Sequence, residues 1–460
     1  MPLAPWNNPI VISAFRLLAR RTRLLGRTTM YLLFLTGIGA VLEQTDLRFA
    51  DSFVLTYFVC LIAVQWFISS LWASSASMNA MKKEVTDGTF DIQRIATLSP
   101  LDILLGKLLG EPAGAYFGII ASFPLALLCA LAGAVPLIVL VLAYCTLITS
   151  TLLTGTGGLR SQMALADVVP GRKAAGCMTA VIWIAGSQML TISSMKPTAI
   201  LSVPYLAGLL GLVTPLPLLA VLANDTPFAG ILWFGVPIPY VVLTPAAQLV
   251  LTVWYFRGME RQLIHPLVPP AGKLLSYLML LAFDLLVAGV LFEQAHWTLE
   301  LPARGAAFCL MHLLAGLYLM AEATPHAATL QSWAWRFRAS SGLRDAWLGD
   351  RTENGLLLVT FAGIGPLGLA LLVVLPAAMV GGTDILSAAL PELAGAAATS
   401  TLLLLAIGTL YQRSIFRHGA EGGVLAAFFV ILAMIVPLGF GLWYHNDFLS
   451  GMSPLFHFFG

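Results

Sequence analysis

Apolar runs of membrane-spanning length recur along this sequence, and they constrain its fold more than any other feature. A bilayer core of about 30 Å takes roughly 20 apolar residues per helix. Such runs lie near Thr29–Leu42, Phe53–Ala73, Pro112–Leu131, Ala134–Thr154, Ala174–Ile192 and Val236–Tyr255. More follow near Leu274–Leu291, Gly305–Ala321, Gly355–Val380, Leu393–Leu410 and Val424–Trp443. With no water at that depth, a backbone must close its hydrogen bonds within each helix. Hydrophobic residues make up 59% of the 460 and charged residues only 10%, where a soluble domain carries about 25% charged. A soluble enzyme, a nucleic-acid-binding domain and a disordered chain are excluded. The expected fold class is an all-α polytopic membrane protein with about eleven transmembrane helices. A polar connection with three prolines, Arg257–Gly272, separates six of them from five. The expected domains are therefore 1–262 and 263–460. The first run stands behind five arginines without a small-residue cleavage pattern, so no signal peptide is expected.

The charges orient the runs, because Lys and Arg accumulate on the cytoplasmic side. The stretch Thr198–Leu222 decides the arrangement: it is apolar but carries Pro204, Pro215 and Pro217. If it dips into the membrane and returns, 21 of the 24 Lys and Arg are cytoplasmic, and only Arg48, Lys196 and Arg304 lie outside. If it crosses fully, the split becomes 13 against 11. A re-entrant segment before the sixth span is therefore expected, its broken backbone lying against protein or a wet cavity. The N-terminus, Lys82–Gly110, Arg257–Lys273 and Arg336–Arg351 then face the cytoplasm, and His445–Gly460 lies outside.

Residues Ile10–Arg27 have helical period. Arg16, Arg20, Arg23 and Arg27 form one stripe, with Val11, Phe15, Leu18 and Leu25 opposite. Such a helix is expected to lie in the headgroup plane of the anionic inner leaflet. A weaker candidate of the same kind carries Leu330, Trp333, Ala334 and Phe337. The five cysteines, Cys60, Cys129, Cys145, Cys177 and Cys309, all fall in apolar runs and have no CxxC spacing, so they read as small buried hydrophobes.

The loop after the second run, Met81–Gly110, is the most informative segment. Gly88 and Thr89 end one short helix, Ser99 and Pro100 punctuate the next, and Asp102 sits in its first turn, heading toward the membrane. A short helix parallel to the membrane, held between the two turns, would suit docking with a cytoplasmic partner. This loop resembles that of the permease subunit of export-type ATP-binding-cassette (ABC) transporters. In that family the loop carries charged residues, then Gly-Thr, a leucine-rich stretch, a Thr/Ser-Pro-Leu turn and Gly-Lys. The matching positions are Glu84, Gly88, Thr89, Ser99, Pro100, Leu101, Gly106 and Lys107, with Arg94 between the turns. The resemblance embraces about residues 9–262, including the N-terminal amphipathic helix and the broken apolar segment. It implies a six-span permease domain that couples through Glu84–Lys107 to a cytoplasmic ATPase. It also implies pairing as a homodimer or with a second permease, in a bacterial cytoplasmic membrane. Residues 263–460 fall outside it, as a five-span accessory membrane domain.

No phosphate-cradling loop is present: that needs G-x-x-x-x-G-K-[ST], and Gly106-Lys107 and Gly272-Lys273 are each followed by leucine. ATP hydrolysis is thus expected on a separate chain, with ATP and magnesium bound there and no cofactor in this one. No histidine shows a ligand spacing such as H-E-x-x-H, so no metal site and no catalytic residue are expected. Charges inside spans are functional by default. Asp284 lies near the middle of the seventh run and His312 near the middle of the eighth; the connecting loop is expected to centre near Thr298, 14 positions from each. At 1.5 Å per residue they reach similar depth on adjacent antiparallel helices. Small residues flank both, so a buried pair is expected, serving as a structural lock or a proton-responsive site. Gln65 and Gln188 read as weaker interhelical glue.

Three functional readings follow. The leading one is the permease subunit of an ABC exporter, whose substrate no motif specifies. The second is a proton-coupled secondary transporter using Asp284 and His312. The third is a non-transporting membrane anchor of a larger complex. None involves nucleic acid.

Overall fold

The structure is a computed structural model that describes residues 8–20, 23–45, 52–87, 99–133, 135–166, 215, 218–219, 222, 228, 230–264, 268–269, 271–291, 297–323, 355–374, 390–391 and 393–410. These residues are mostly helical. Four helices are long and apolar enough to cross a membrane: Phe53–Glu84, Ala113–Leu131, Leu137–Arg160 and Leu393–Leu410. Ile120, Leu128, Leu131, Ile138, Val141 and Leu402 on these helices are exposed. Apolar side chains spread over successive turns would be untenable in water and are ordinary against lipid. The chain is an integral membrane protein. The expected spans Ala174–Ile192 and Val424–Trp443, and the amphipathic candidate at 330–337, lie outside the described residues.

The chain divides into two compact units. The first holds the described residues up to Ile231 together with Pro237–Ile264; the second holds Leu232–Val236 and those from Val268 onward.

In the first unit, helices α1 (Pro9–Arg20), α2 (Arg23–Thr45), α3 (Phe53–Thr86), α4 (Pro100–Gly110), α5 (Ala113–Leu131) and α6 (Leu137–Ala166) precede α7 (Tyr240–Ile264). The main seam joins α3 to α6, with α7 packed on α6. Small residues make that seam tight. A Cβ at Gly158 would run into the Ser74 backbone, and one at Gly155 would meet Leu108 and Ser77. Two apolar clusters fill the unit. One gathers Leu35, Phe58, Ile62, Ile119, Val139, Leu147 and Val241; the other gathers Met81, Leu104, Leu108, Leu159, Met259 and Leu263. Of the expected re-entrant segment Thr198–Leu222, only Pro215, Leu218, Leu219 and Leu222 are described, and the leucines are buried in the first cluster.

Of the expected N-terminal stripe, Arg16 and Arg20 lie on α1 and Arg23 and Arg27 on α2, and residues 21–22 lie outside the described residues. Ile10 and Ala14 of α1 press on α4 at Gly106 and Gly110, where a Cβ would sit 2.6 Å and 2.9 Å from their Cβ atoms. Two expectations in this unit are corrected. The helix that approaches Gly88 is not a short separate one. It is α3 itself, continuous for 34 residues, or about 51 Å. It runs 13 residues past Ala73, where the apolar run ends. Serines and alanines are frequent there and no Gly or Pro interrupts them, so nothing stops the helix. Second, the sixth expected span does not begin as helix at Val236. Strands β1 (Gly230–Trp233) and β2 (Val236–Pro239) form a hairpin instead. Phe234 and Gly235 both have positive φ, 47° and 80°, as a two-residue type I′ turn requires. Helix α7 starts only after Pro237 and Pro239.

The second unit contains α8 (Lys273–Leu291), α9 (Trp297–Ala323), α10 (Gly355–Leu369) with a π turn at Ala370–Val374, and α11 (Leu393–Leu410). Helix α9 packs on α8 and α10, and α10 also packs on α8. Glycines again set the spacing: Gly305 and Gly316 face Leu393 and Leu404 of α11, and Gly408 faces Leu358. The hairpin turn belongs to this unit, where Phe234 N–H donates to the Gly289 carbonyl at 2.8 Å. One further expectation is corrected here. Thr298 is not the tip of the hairpin between α8 and α9, because α9 already begins at Trp297.

Candidate functional sites

The base of the expected coupling loop is built from three helices. Ser99 caps α4: its Oγ accepts the Asp102 N–H at 3.2 Å and donates to Asp102 Oδ2 at 2.6 Å. The Asp102 N–H to Ser99 Oγ bond is the N-cap half of a capping box, with Asp at the position of its Glu. Pro100 occupies the first turn, where its missing N–H costs nothing. Asn8, fully buried, caps α1 through its Oδ1 to Ile10 N–H at 3.0 Å, and its Nδ2 donates to the Asp102 carbonyl at 2.6 Å. One side chain thus ties the start of α1 to the start of α4.

Glu84 and Lys107 are ion-paired. Lys107 is 2% exposed and Glu84 22%, so the pair joins the end of α3 to the last turn of α4 away from bulk water. Both were expected to serve a partner; here each engages the other. Glu111 lies nearby, and its carboxyl is pushed above the usual range by the surrounding protein. Lys107 opposes that shift, Glu84 adds to it, and Lys83 opposes it. Glu111 keeps more than a third of its surface exposed, so solvent softens each of these effects. Leu101 and Gly106 lie within α4. Gly88, Thr89 and Arg94 lie outside the described residues.

A band of polar side chains crosses the interior of the first unit. Thr149 and Ser150 of α6 donate to Gln248 Oε1 of α7 at 2.7 Å and 3.0 Å. Thr151 donates to Ser69 at 3.2 Å, Ser122 and Tyr144 hydroxyls meet at 3.3 Å, and Gln65 Nε2 reaches Tyr144 at 3.5 Å. Gln65 was legible as interhelical glue. Gln248 was missed, although an amide in the middle of an apolar run is the same signal. Gln188 lies outside the described residues.

The second unit brings Asp284 and His312 together. His312 Nδ1 lies 2.9 Å from Asp284 Oδ2 and 3.1 Å from Oδ1. The two side chains are 2% and 3% exposed. The other ring nitrogen, Nε2, lies 2.9 Å from the Phe361 carbonyl of α10. Sequence reasoning missed this third partner and the reason it can approach. Gly365 lies one turn after Phe361, and a Cβ there would sit 2.7 Å from His312 Cδ2 and 2.8 Å from Nε2. Phe308 stacks near the imidazole, with ring centroids 6.4 Å apart and planes at 16°. Pro366, lacking an N–H, leaves the Ala362 carbonyl without its helical donor, and Thr401 of α11 reaches it at 3.4 Å.

Among the described residues, no group of three or more His, Cys, Asp or Glu is placed to hold a metal ion. Comparison with known protein families, with curated proteins and with solved structures finds no match to this chain.

Proposed function

We propose that this protein is the membrane-spanning permease subunit of an ABC exporter, moving a substrate with energy from ATP hydrolysed by a separate cytoplasmic subunit. The observation that carries the reading is the construction beneath residues 88–98. Helix α3 continues unbroken to Thr86, the Glu84–Lys107 ion pair ties its end to α4, and Asn8 ties α4 to α1. A three-helix base braced in this way passes on a push applied at Thr86 or Ser99 rather than absorbing it. The order Glu84, Gly88-Thr89, Ser99-Pro100-Leu101 and Gly106-Lys107 adds the family resemblance. In this reading residues 1–262 form the permease domain, residues 263–460 are an accessory membrane domain, and two permease copies pair with two ATPase subunits. The span count of eleven, with a cytoplasmic N-terminus and an external C-terminus, belongs to the same proposal.

The test is affinity purification of the full chain from native membranes. An ATPase carrying Walker motifs should co-purify in fixed stoichiometry. Replacing Thr89–Leu98 with a Gly/Ser linker of equal length spares the Ser99 cap, and should abolish that association while the permease stays folded. Undiminished association with the linker variant would refute the docking role. Co-purification with no ATPase would refute the function.

A further inference from the structure

We infer that the second unit contains a buried one-proton binding site, shared between the Asp284 carboxyl and His312 Nδ1 and held in register by the Phe361 carbonyl. The inference stands apart from the permease reading, because it concerns a different unit and needs no partner chain.

A carbonyl oxygen only accepts. His312 Nε2, 2.9 Å from the Phe361 oxygen, must therefore carry a proton; the other neutral tautomer would set two lone pairs against each other. With Nε2 protonated, Nδ1 of a neutral ring is an acceptor, yet it faces both carboxylate oxygens at 2.9 Å and 3.1 Å. The contact closes only if one more proton lies between them. That proton sits either on the carboxyl, donating to Nδ1, or on Nδ1, donating to the carboxylate. In both forms the pair is neutral overall and every polar atom of the contact is matched. On release the proton goes to water and the pair is left with one negative charge. The carboxylate then faces the Nδ1 lone pair across a hydrogen-bond distance, in a site nearly closed to solvent. An unmatched buried polar contact of this kind is strongly unfavourable, so α8 and α9 would have to separate locally.

Among the described residues, no other group around the pair replaces this proton. On α9, Cys309 is buried, and Ser400 of α11 donates its hydroxyl to the Ala397 carbonyl at 3.0 Å. On α8, Tyr277 hydrogen-bonds Thr360 of α10, and its ring meets Phe361 edge-on at 5.8 Å. On α10 the surfaces toward the pair are Gly365, Gly368 and the Phe361 carbonyl. A Cβ at Gly368 would lie 3.1 Å from Phe308 and 4.0 Å from Asp284 Oδ2. Among the described residues, Phe308 and the two glycines bring only apolar surface against the pair.

The test uses the full chain in lipid with ring-¹⁵N-labelled histidine, the His312 signals being assigned by their loss in His312→Gln. Nε2 should carry a proton at neutral pH, with the second proton on Nδ1 or as a protonated carboxyl seen in the infrared and lost in Asp284→Asn. A His312 signal with Nε2 unprotonated overturns the site. So does a neutral ring beside an ionised Asp284. A second arm compares stability against pH for the wild type and Asp284→Asn. The asparagine amide can donate permanently to Nδ1, mimicking the proton-loaded form. Above about pH 6.5, where the unfolded chain holds a neutral imidazole and an ionised carboxylate, the folded wild type binds one more proton, so its stability should fall from there up to the release. The variant should lack that component. Superimposable pH profiles would overturn the inference.

Discussion

Replacing Gly365 with alanine is the most discriminating perturbation of the second unit. A Cβ at this position would sit 2.7 Å and 2.8 Å from His312 Cδ2 and Nε2, where ordinary contacts begin beyond 3.4 Å. The imidazole must withdraw or α10 must shift, and either movement stretches the 2.9 Å contact to Phe361. Overpacking of this kind costs about 1–3 kcal/mol, and an unmatched buried polar group costs about 1–3 kcal/mol more. Together they come to a loss of about 2–6 kcal/mol, offset by up to about 1 kcal/mol of helix propensity. Gly363, two residues earlier on the same helix, has nothing within 4 Å of its would-be Cβ. Alanine there should be neutral or should stabilise by up to about 1 kcal/mol through helix propensity. The two variants should therefore differ by more than tenfold in unfolding equilibrium, at 1.4 kcal/mol per decade. The assay is reversible unfolding of the full chain in mixed micelles, followed by helix content. Coincident midpoints for Gly365→Ala and Gly363→Ala would refute the placement of His312 against α10.

Two further predictions concern the first unit and the topology. Glu84→Gln should destabilise the chain by about 2–4 kcal/mol, because it strands a buried Lys107, somewhat less than for a fully enclosed pair; the double variant Glu84→Gln with Lys107→Met should recover most of the loss in the same unfolding assay, and simple additivity would show the pair to be unimportant. In a cysteine-free background, Ser450→Cys should be labelled from outside intact cells and Ser340→Cys should not, and the reverse pattern would overturn the second half of the proposed topology.

What the sequence made legible, and what it did not, follows from the range of the forces involved. Ser99, Pro100 and Asp102 act within one helical turn, so the start of α4 was readable from spacing alone. The pairing of Asp284 with His312 was approached through depth and small flanking residues. The side chains do meet, although the supposed tip at Thr298 lies inside α9. Symmetry about the loop was therefore not what aligned them; a shared floor on α10 closes the contact. That floor is 49 residues from His312, and no local pattern announces that Gly365 exists to admit an imidazole. Glu84 and Lys107 likewise read as a docking surface, since a charged pair 23 residues apart gives no sign that its members have each other. The continuity of α3 from its apolar run to Thr86 was missed for the opposite reason. Hydropathy falls after Ala73, but hydropathy marks where lipid stops and says nothing about where a helix stops.

The seam between α3 and α6 has a mechanical consequence. At Gly158 the α6 backbone approaches Ser74 of α3 with no space for a side chain, and Thr151 is bonded to Ser69 two turns away. Two helices in contact along such a line cannot slide without lifting apart, so they tilt together as one beam. The stretch of α3 beyond Ala73 is a lever arm of about 20 Å. A rotation of about 5° at its root would swing the far end by about 2 Å over that length, with no hinge along the way to dissipate it. Such a beam works in both directions: a push at Thr86 is a torque on the membrane-embedded half, and a rearrangement inside the membrane is a displacement at Thr86.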